Sequence, residues 1–234
     1  MADSTFSLTP PTNGQVVFIE NHDMDRFSSQ VNGDNGKLRV GAALNLLIGG
    51  VPSIYYGQEL GMFGKGGFNK FGNTDANDIP RREAFEWNKS DEGTGMCLWY
   101  KGTGPWWTQT NLKPNDGISL EEEKNNTNSL WNFYKALIHV RQSNSALMNG
   151  DFHVIQNGNE NVFSFQRSDK KQNVFVIVNL SDASQQTSFA IPNMTDPNRK
   201  AKLIYLFGDQ SAQQSGSNIS VQLPAYGVEV IEVK

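Results

Sequence analysis

Residues 16–57 constrain the fold most strongly. VVFIE (16–20) is β-branched and aromatic, the composition of a buried strand. GKLRVGAALNLLIGG (36–50) sets Leu38, Ala42, Leu44, Leu47 and Ile48 on a wide apolar helical face and ends in Gly49 and Gly50, a helix stop. VPSIYYG (51–57) predicts a second buried strand, with Pro52 tolerable only at its start. Strand, helix and strand at this spacing form a βαβ unit and hence a parallel pair. Continuous apolar strands of this kind need helices on both faces. Functional groups in parallel α/β folds gather at the carboxyl ends of the strands. Asn21-His22-Asp23 follows the first strand and Gln58-Glu59 the second, so both polar clusters are expected at the same end. Two strands and two helices cannot cover both faces of a sheet. This part reads as the closing segment of something larger.

Residues 61–118 form a long irregular stretch rich in Gly, Asn and aromatics, holding Trp87, Trp99, Trp106 and Trp107. A loop of that length in a folded domain is usually functional or a sign of misassigned elements. Ser119 and Glu122 predict a capping box opening a helix, which the spacing of Leu130, Phe133, Tyr134, Leu137 and Ile138 continues to about Ser143. From Gly150 the apolar period changes to two. DFHVIQN, NVFSFQRSD, NVFVIVNLSD, TSFAIPN, KLIYLFGD, ISVQLPA and GVEVIEVK are short strands separated by turn signals, the pattern of an antiparallel sandwich. The fold class is therefore α/β plus all-β, with an α/β part over 1–144 and a β-sandwich over 145–234.

Several classes of partner are disfavoured. The 20 Lys and Arg form no run or stripe, and the net charge is −4, so there is no nucleic-acid footprint. No segment approaches the roughly 20 continuous apolar residues of a membrane span. MADSTFSLTPP lacks a basic stretch followed by an apolar core and predicts no signal peptide in this chain, leaving secreted, cell-surface and cytoplasmic locations open. A single cysteine, Cys97, excludes an internal disulfide and a cysteine-cluster zinc site. NTDANDIPRRE brings Asp75 and Asp78 near Asn73 and Asn77, but the spacing is not that of an EF-hand, and the segment reads as a loop without metal.

VVFIENHD, followed by GGVPSIYYGQE, resembles the last strands of the α-amylase family of glycoside hydrolases. IPRREAFEW is similar to that family's short loop after the last strand, in a variant form with Arg81, Arg82 and Trp87. VFSFQR, VFVIVNLS and LPAYG resemble its C-terminal domain. The resemblance runs in order through most of the chain. It implies the closing βαβα segment of a (β/α)8 barrel followed by the sandwich, and a retaining enzyme acting on α-linked glucans such as starch or maltooligosaccharides.

On this resemblance Asp23 is the third catalytic carboxylate, which supports the oxocarbenium-like transition state. His22 hydrogen-bonds the same sugar ring, and Asn21, Arg26, Trp106 and Trp107 belong to the substrate-binding set. Arg26 also buttresses the loop, and Tyr55, Tyr56, Gly57 and Glu59 are architectural. Read alone, His22 and Asp23 fit an ordinary polar turn as well, and the tryptophans fit a satellite apolar cluster as readily as a sugar platform. The family's nucleophile and acid/base carboxylates lie on earlier strands, as does most of its calcium site, and neither motif occurs here. The expectation is a chain without cofactor that is inactive in isolation, with an α-glucan oligosaccharide or polysaccharide as partner and self-association through uncovered barrel strands. The alternative is a carbohydrate-binding or scaffolding module.

Overall fold

The alternation that begins at Gly150 resolves into two facing antiparallel sheets. A computed structural model describes residues 14–67, 69–106 and 111–234. Its strands are β1 (Val16–Val17), β2 (Val51–Pro52), β3 (Asp151–Val154), β4 (Val162–Ser168), β5 (Asn173–Asn179), β6 (Gln185–Ala190), β7 (Leu203–Phe207), β8 (Gln213–Ser215), β9 (Asn218–Leu223) and β10 (Val228–Val233). Its α-helices are α1 (Phe27–Gln30), α2 (Asn35–Leu47), α3 (Leu120–Glu123), α4 (Leu130–Ser143) and α5 (Ser145–Asn149), with 3₁₀ turns at Gln58–Leu60 and Asp75–Arg81. The described residues divide into two units whose sequences interleave, one drawn from 14–17, 39–52 and 136–234, the other from 18–38 and from the described part of 53–135.

In the first unit, five strands run in the order β3-β4-β5-β10-β7 and three in the order β6-β9-β8, all antiparallel. Phe175 and Ile177 of β5 and Ile231 of β10 pack against Phe189, Ile219, Val221 and Leu223 of the smaller sheet. Val174, Val176 and Val178 alternate with them and are equally buried, because α5 lies against β4 and β5 on the other face. That double coverage explains why NVFVIVN is apolar without a break while β6 alternates. All seven expected strands are present. The additional β8, of sequence QQS, has no apolar residue by which periodicity could mark it.

The βαβ reading is also realised, with a shorter ladder. β1 and β2 pair in parallel, Val16 opposite Val51 and Val17 opposite Pro52. Gly50, in the turn after α2, has φ +63°, and a Cβ there would lie 2.4 Å from the Gln15 carbonyl, so only glycine fits the entry into β2. Arg141 of α4 donates to the Leu46 and Gly50 carbonyls, both at 2.7 Å, placing a cation on the open carbonyls at the end of α2. The expectation of buried strands is corrected: Val16 is 57% exposed and Val51 54%. A two-residue, two-stranded ladder cannot surround its own side chains.

The expected helix from Ser119 to Ser143 is two helices. The capping box at Ser119 forms as read, but Lys124-Asn-Asn-Thr-Asn-Ser interrupts it. The Asn132 amide donates to the carbonyls of Glu123, Lys124 and Asn126, and Asn126 Oδ1 accepts from the Asn128 N–H at 3.0 Å. These local bonds compete with the helical ladder. Glu123 then accepts from the Trp131 N–H at 2.8 Å and caps α4.

Candidate active site

The polar triplet is shaped by its own first residue. Asn21 Oδ1 accepts from the Asp23 N–H at 2.9 Å, an Asx turn. His22 and Asp23 then project outward, their side chains 60% and 65% exposed, with His22 Nε2 3.2 Å from Asp23 Oδ1. Arg82 closes the group. Its Nη2 lies 3.1 Å from the same Asp23 oxygen, and its Nε donates to the His22 carbonyl at 3.1 Å. A second carboxylate, Asp78, holds the Arg82 guanidinium from behind at 3.1 Å.

The frame beneath is buried. Arg26 has no exposed surface. Its Nη1 meets Glu20 Oε1 at 3.3 Å and donates to the Tyr56 carbonyl at 2.7 Å, and its Nε donates to the Arg81 carbonyl at 3.2 Å. The Tyr55 and Tyr56 rings lie 4.6 and 4.9 Å from the guanidinium, cation–π distances. Glu20 also accepts from the Phe27 N–H at 2.6 Å. Burial pushes the Glu20 carboxyl upward, against that N–H and the Arg26 charge.

Three consecutive carbonyls of the 81–83 segment are anchored by side chains. Arg26 and the Tyr55 hydroxyl donate to Arg81, the Trp99 indole to Arg82 at 3.1 Å, and the Tyr56 hydroxyl to Glu83 at 2.8 Å. The backbone of Arg82 is thereby fixed where its side chain reaches Asp23. Arg81 turns the other way and pairs with Asp78 and, at 2.9 Å, with Asp25. Burial raises the Asp25 carboxyl, but bonds from the Gly66 N–H and Arg81 outweigh it and hold it below the usual carboxylate range.

The triplet thus gathers Asn21, His22 and Asp23 with Arg82. Arg26, placed in the substrate-binding set on the resemblance, has its guanidinium enclosed within the frame. Trp106 donates to Thr103 Oγ1 at 2.9 Å and meets Phe71 edge-on, its partners lying in its own loop. Trp107 lies outside the described residues. Asn77 Nδ2 is tied to the Gly72 and Thr74 carbonyls, and Asp78 to two arginines. The grip of Arg82 on Asp23 was missed from sequence, though its place in IPRREAFEW, just past the last strand motif, was the available signal.

Glu83 and Glu86 were missed as well. Both are buried. Glu83 accepts from Asn111 Nδ2 at 3.1 Å, and burial pushes it up to about 7. Burial pushes Glu86 up to about 8, with the charges of Asp116 and Glu83 adding to it. Both values stand above the unfolded one, so the folded state keeps protons the unfolded chain has released. Their contribution to stability is therefore full below about pH 4.5 and is lost as pH rises towards 8. Glu86→Gln is expected to raise the urea midpoint at pH 8.5 and to flatten its decline between pH 5 and pH 8.5. An unchanged slope in the variant would show that this carboxyl is not the titrating group.

Residues 2–150 match the family model described as alpha amylase, catalytic domain, and residues 152–230 match that of the maltogenic amylase C-terminal domain. Alpha-amylase 3 of Dictyoglomus thermophilum is 27% identical over 174 residues, 74% of this chain and 32% of the relative. Probable oligo-1,6-glucosidase 3 of Bacillus subtilis is 30% identical over 194 residues, 71% of this chain and 34% of the relative. The crystal structure of the alpha-amylase from H. orenii superposes with a TM-score of 0.73 at 28% identity, covering 94% of this chain and 40% of that one. The chain therefore spans about a third of the length of the curated relatives it matches. Its βαβ unit is the end of an α-amylase barrel and its two sheets are the domain that follows, and the chain belongs to the α-amylase family of glycoside hydrolases.

Proposed function

We propose that this chain supplies the closing part of a retaining glycoside hydrolase acting on α-linked glucans, with Asp23 as its transition-state carboxylate. The observation that carries the reading is the exposed Asp23 carboxylate held between His22 and Arg82 on a buried frame. A carboxylate fixed in this way accepts hydrogen bonds from two neighbouring sugar hydroxyls. As the bond to the leaving group lengthens, positive charge develops on the ring, and a preorganised anion beside it stabilises that charge. His22 donates to a hydroxyl of the same ring, and Asn21 holds the turn. Arg82 keeps Asp23 oriented, and the half-exposed Trp99, whose indole donates to the Arg82 carbonyl, offers an apolar face beside it.

Making and breaking the glycosidic bond takes a nucleophile and an acid/base carboxyl roughly 5–5.5 Å apart. The described neighbours of Asp23 are a histidine and an arginine, neither of which can fill those roles, and in this reading both carboxyls belong to earlier strands of the family's barrel. The barrel part spans residues 1–144 and the sandwich 145–234. The purified chain is expected to bind maltooligosaccharides weakly, with amide shifts at Asn21–Asp23 and Arg82, and to release no reducing sugar. Turnover abolished by Asp23→Asn would contradict the division of labour. Shifts that avoid the triplet altogether would contradict the site.

The exposed Val16 and Val51 leave a short parallel ladder able to take further strands. Self-association through it is expected to give a concentration-dependent mass in size-exclusion chromatography with light scattering. A monomer at every concentration would exclude it.

A further inference from the structure

A cavity of about 320 Å³ lies within the unit that carries the triplet, bounded by α1, the Gln58–Leu60 turn and the start of α4. It shares no lining residue with Asn21, His22, Asp23 or Arg82. Its volume stands at the lower end of the range for small-molecule pockets, enough for one ring and not for a chain of them.

Its walls are of two kinds. Leu38, Leu60 and Leu130 are buried and give it an apolar side, continued by the Phe63 ring. Gly33, at φ +70°, lets that ring seat, since a Cβ there would lie 2.7 Å from it. Facing these are two acceptors and one hydroxyl. Ser28 is 2% exposed, lines the cavity, and its Oγ has no hydrogen-bond partner among the described residues. A buried hydroxyl in that state is costly unless something enters to pair it. The Glu123 carboxyl uses one oxygen to cap α4, and Asp116 stands at the exposed rim.

An apolar wall opposite a few converging hydroxyl and carboxyl groups matches a sugar ring, which joins C–H faces to hydroxyls that both donate and accept. A cation fits less well. Burial pushes Glu123 up to about 8 and raises Asp116, so the pocket disfavours full negative charge, and a protonated Glu123 can donate as well as accept. We propose that this cavity is a binding site for a single neutral hexopyranose, separate from the triplet and independent of the role assigned to Asp23.

Titration of the full chain with D-glucose, followed by calorimetry and by amide shifts, tests this. The dissociation constant is expected at about 1–10 mM, the range for a ligand of roughly a dozen heavy atoms. Ser28→Ala removes a hydroxyl that supports nothing else in the fold, and is expected to weaken glucose about threefold to tenfold without loss of thermal stability. Ile118→Trp, at the half-buried rim, is expected to abolish binding by filling the mouth, while Asp23→Asn leaves it unchanged. Absence of saturation, or a constant unmoved by both Ser28→Ala and Ile118→Trp, would overturn the proposal. So would loss of binding in Asp23→Asn alone, or saturable binding of methylammonium in place of glucose.

Discussion

A guanidinium with no access to water dictates the organisation around the triplet. Arg26 cannot be buried without a counter-charge and acceptors, and it finds them in three separate stretches of sequence: Glu20 before it, the Tyr56 carbonyl after the second strand, and the Arg81 carbonyl within the long loop. Removing one partner of such a buried pair typically costs about 3–5 kcal/mol. The three segments are thereby held to one another, and the tyrosines that flank the guanidinium extend the grip to Glu83.

The exposed pair above is weak by itself. Surface ion pairs such as Asp23 with Arg82 contribute about 0–1 kcal/mol, too little to hold two long side chains in a fixed geometry. Placing the carboxylate is the work of the frame, which fixes the backbone on both sides: the Asx turn at Asn21 and the stapled carbonyls of 81–83. Preorganisation of this kind is what a transition-state carboxylate needs, since a group that must move before it stabilises charge has spent part of its effect. The same division explains why Arg26 and Arg82, similar on paper, differ in role. One is buried beneath the site and the other reaches its surface.

Much of this was legible in residue order. The change of period at Gly150 gave the sandwich, and the apolar runs around α2 gave a parallel pair. Both follow from side-chain periodicity, which burial enforces. The failures have physical causes too. Apolar strands promise burial, but burial depends on how many strands and helices accompany them, and Val16 and Val51 remain exposed. Asn132 breaks the expected long helix through bonds to carbonyls six to nine residues away, which helical spacing does not register. Arg26 was assigned on the resemblance both to the substrate-binding set and to buttressing its loop, and only the partners converging from distant segments reveal that it is enclosed. Glu83 and Glu86 were passed over because charged residues in a loop are ordinarily solvated, whereas here the aromatic loop covers them.

Buried Arg26 positions Arg82 on Asp23 without touching Asp23. Arginine side-chain NMR on the wild type and on Arg26→Met tests it most directly, with the sandwich amides as a check that the chain remains folded. A slowly exchanging Arg82 Nε–H is expected in the wild type, with collapse to the free-arginine shift and exchange rate in Arg26→Met. An Arg82 signal unchanged by loss of the Arg26 guanidinium would contradict it.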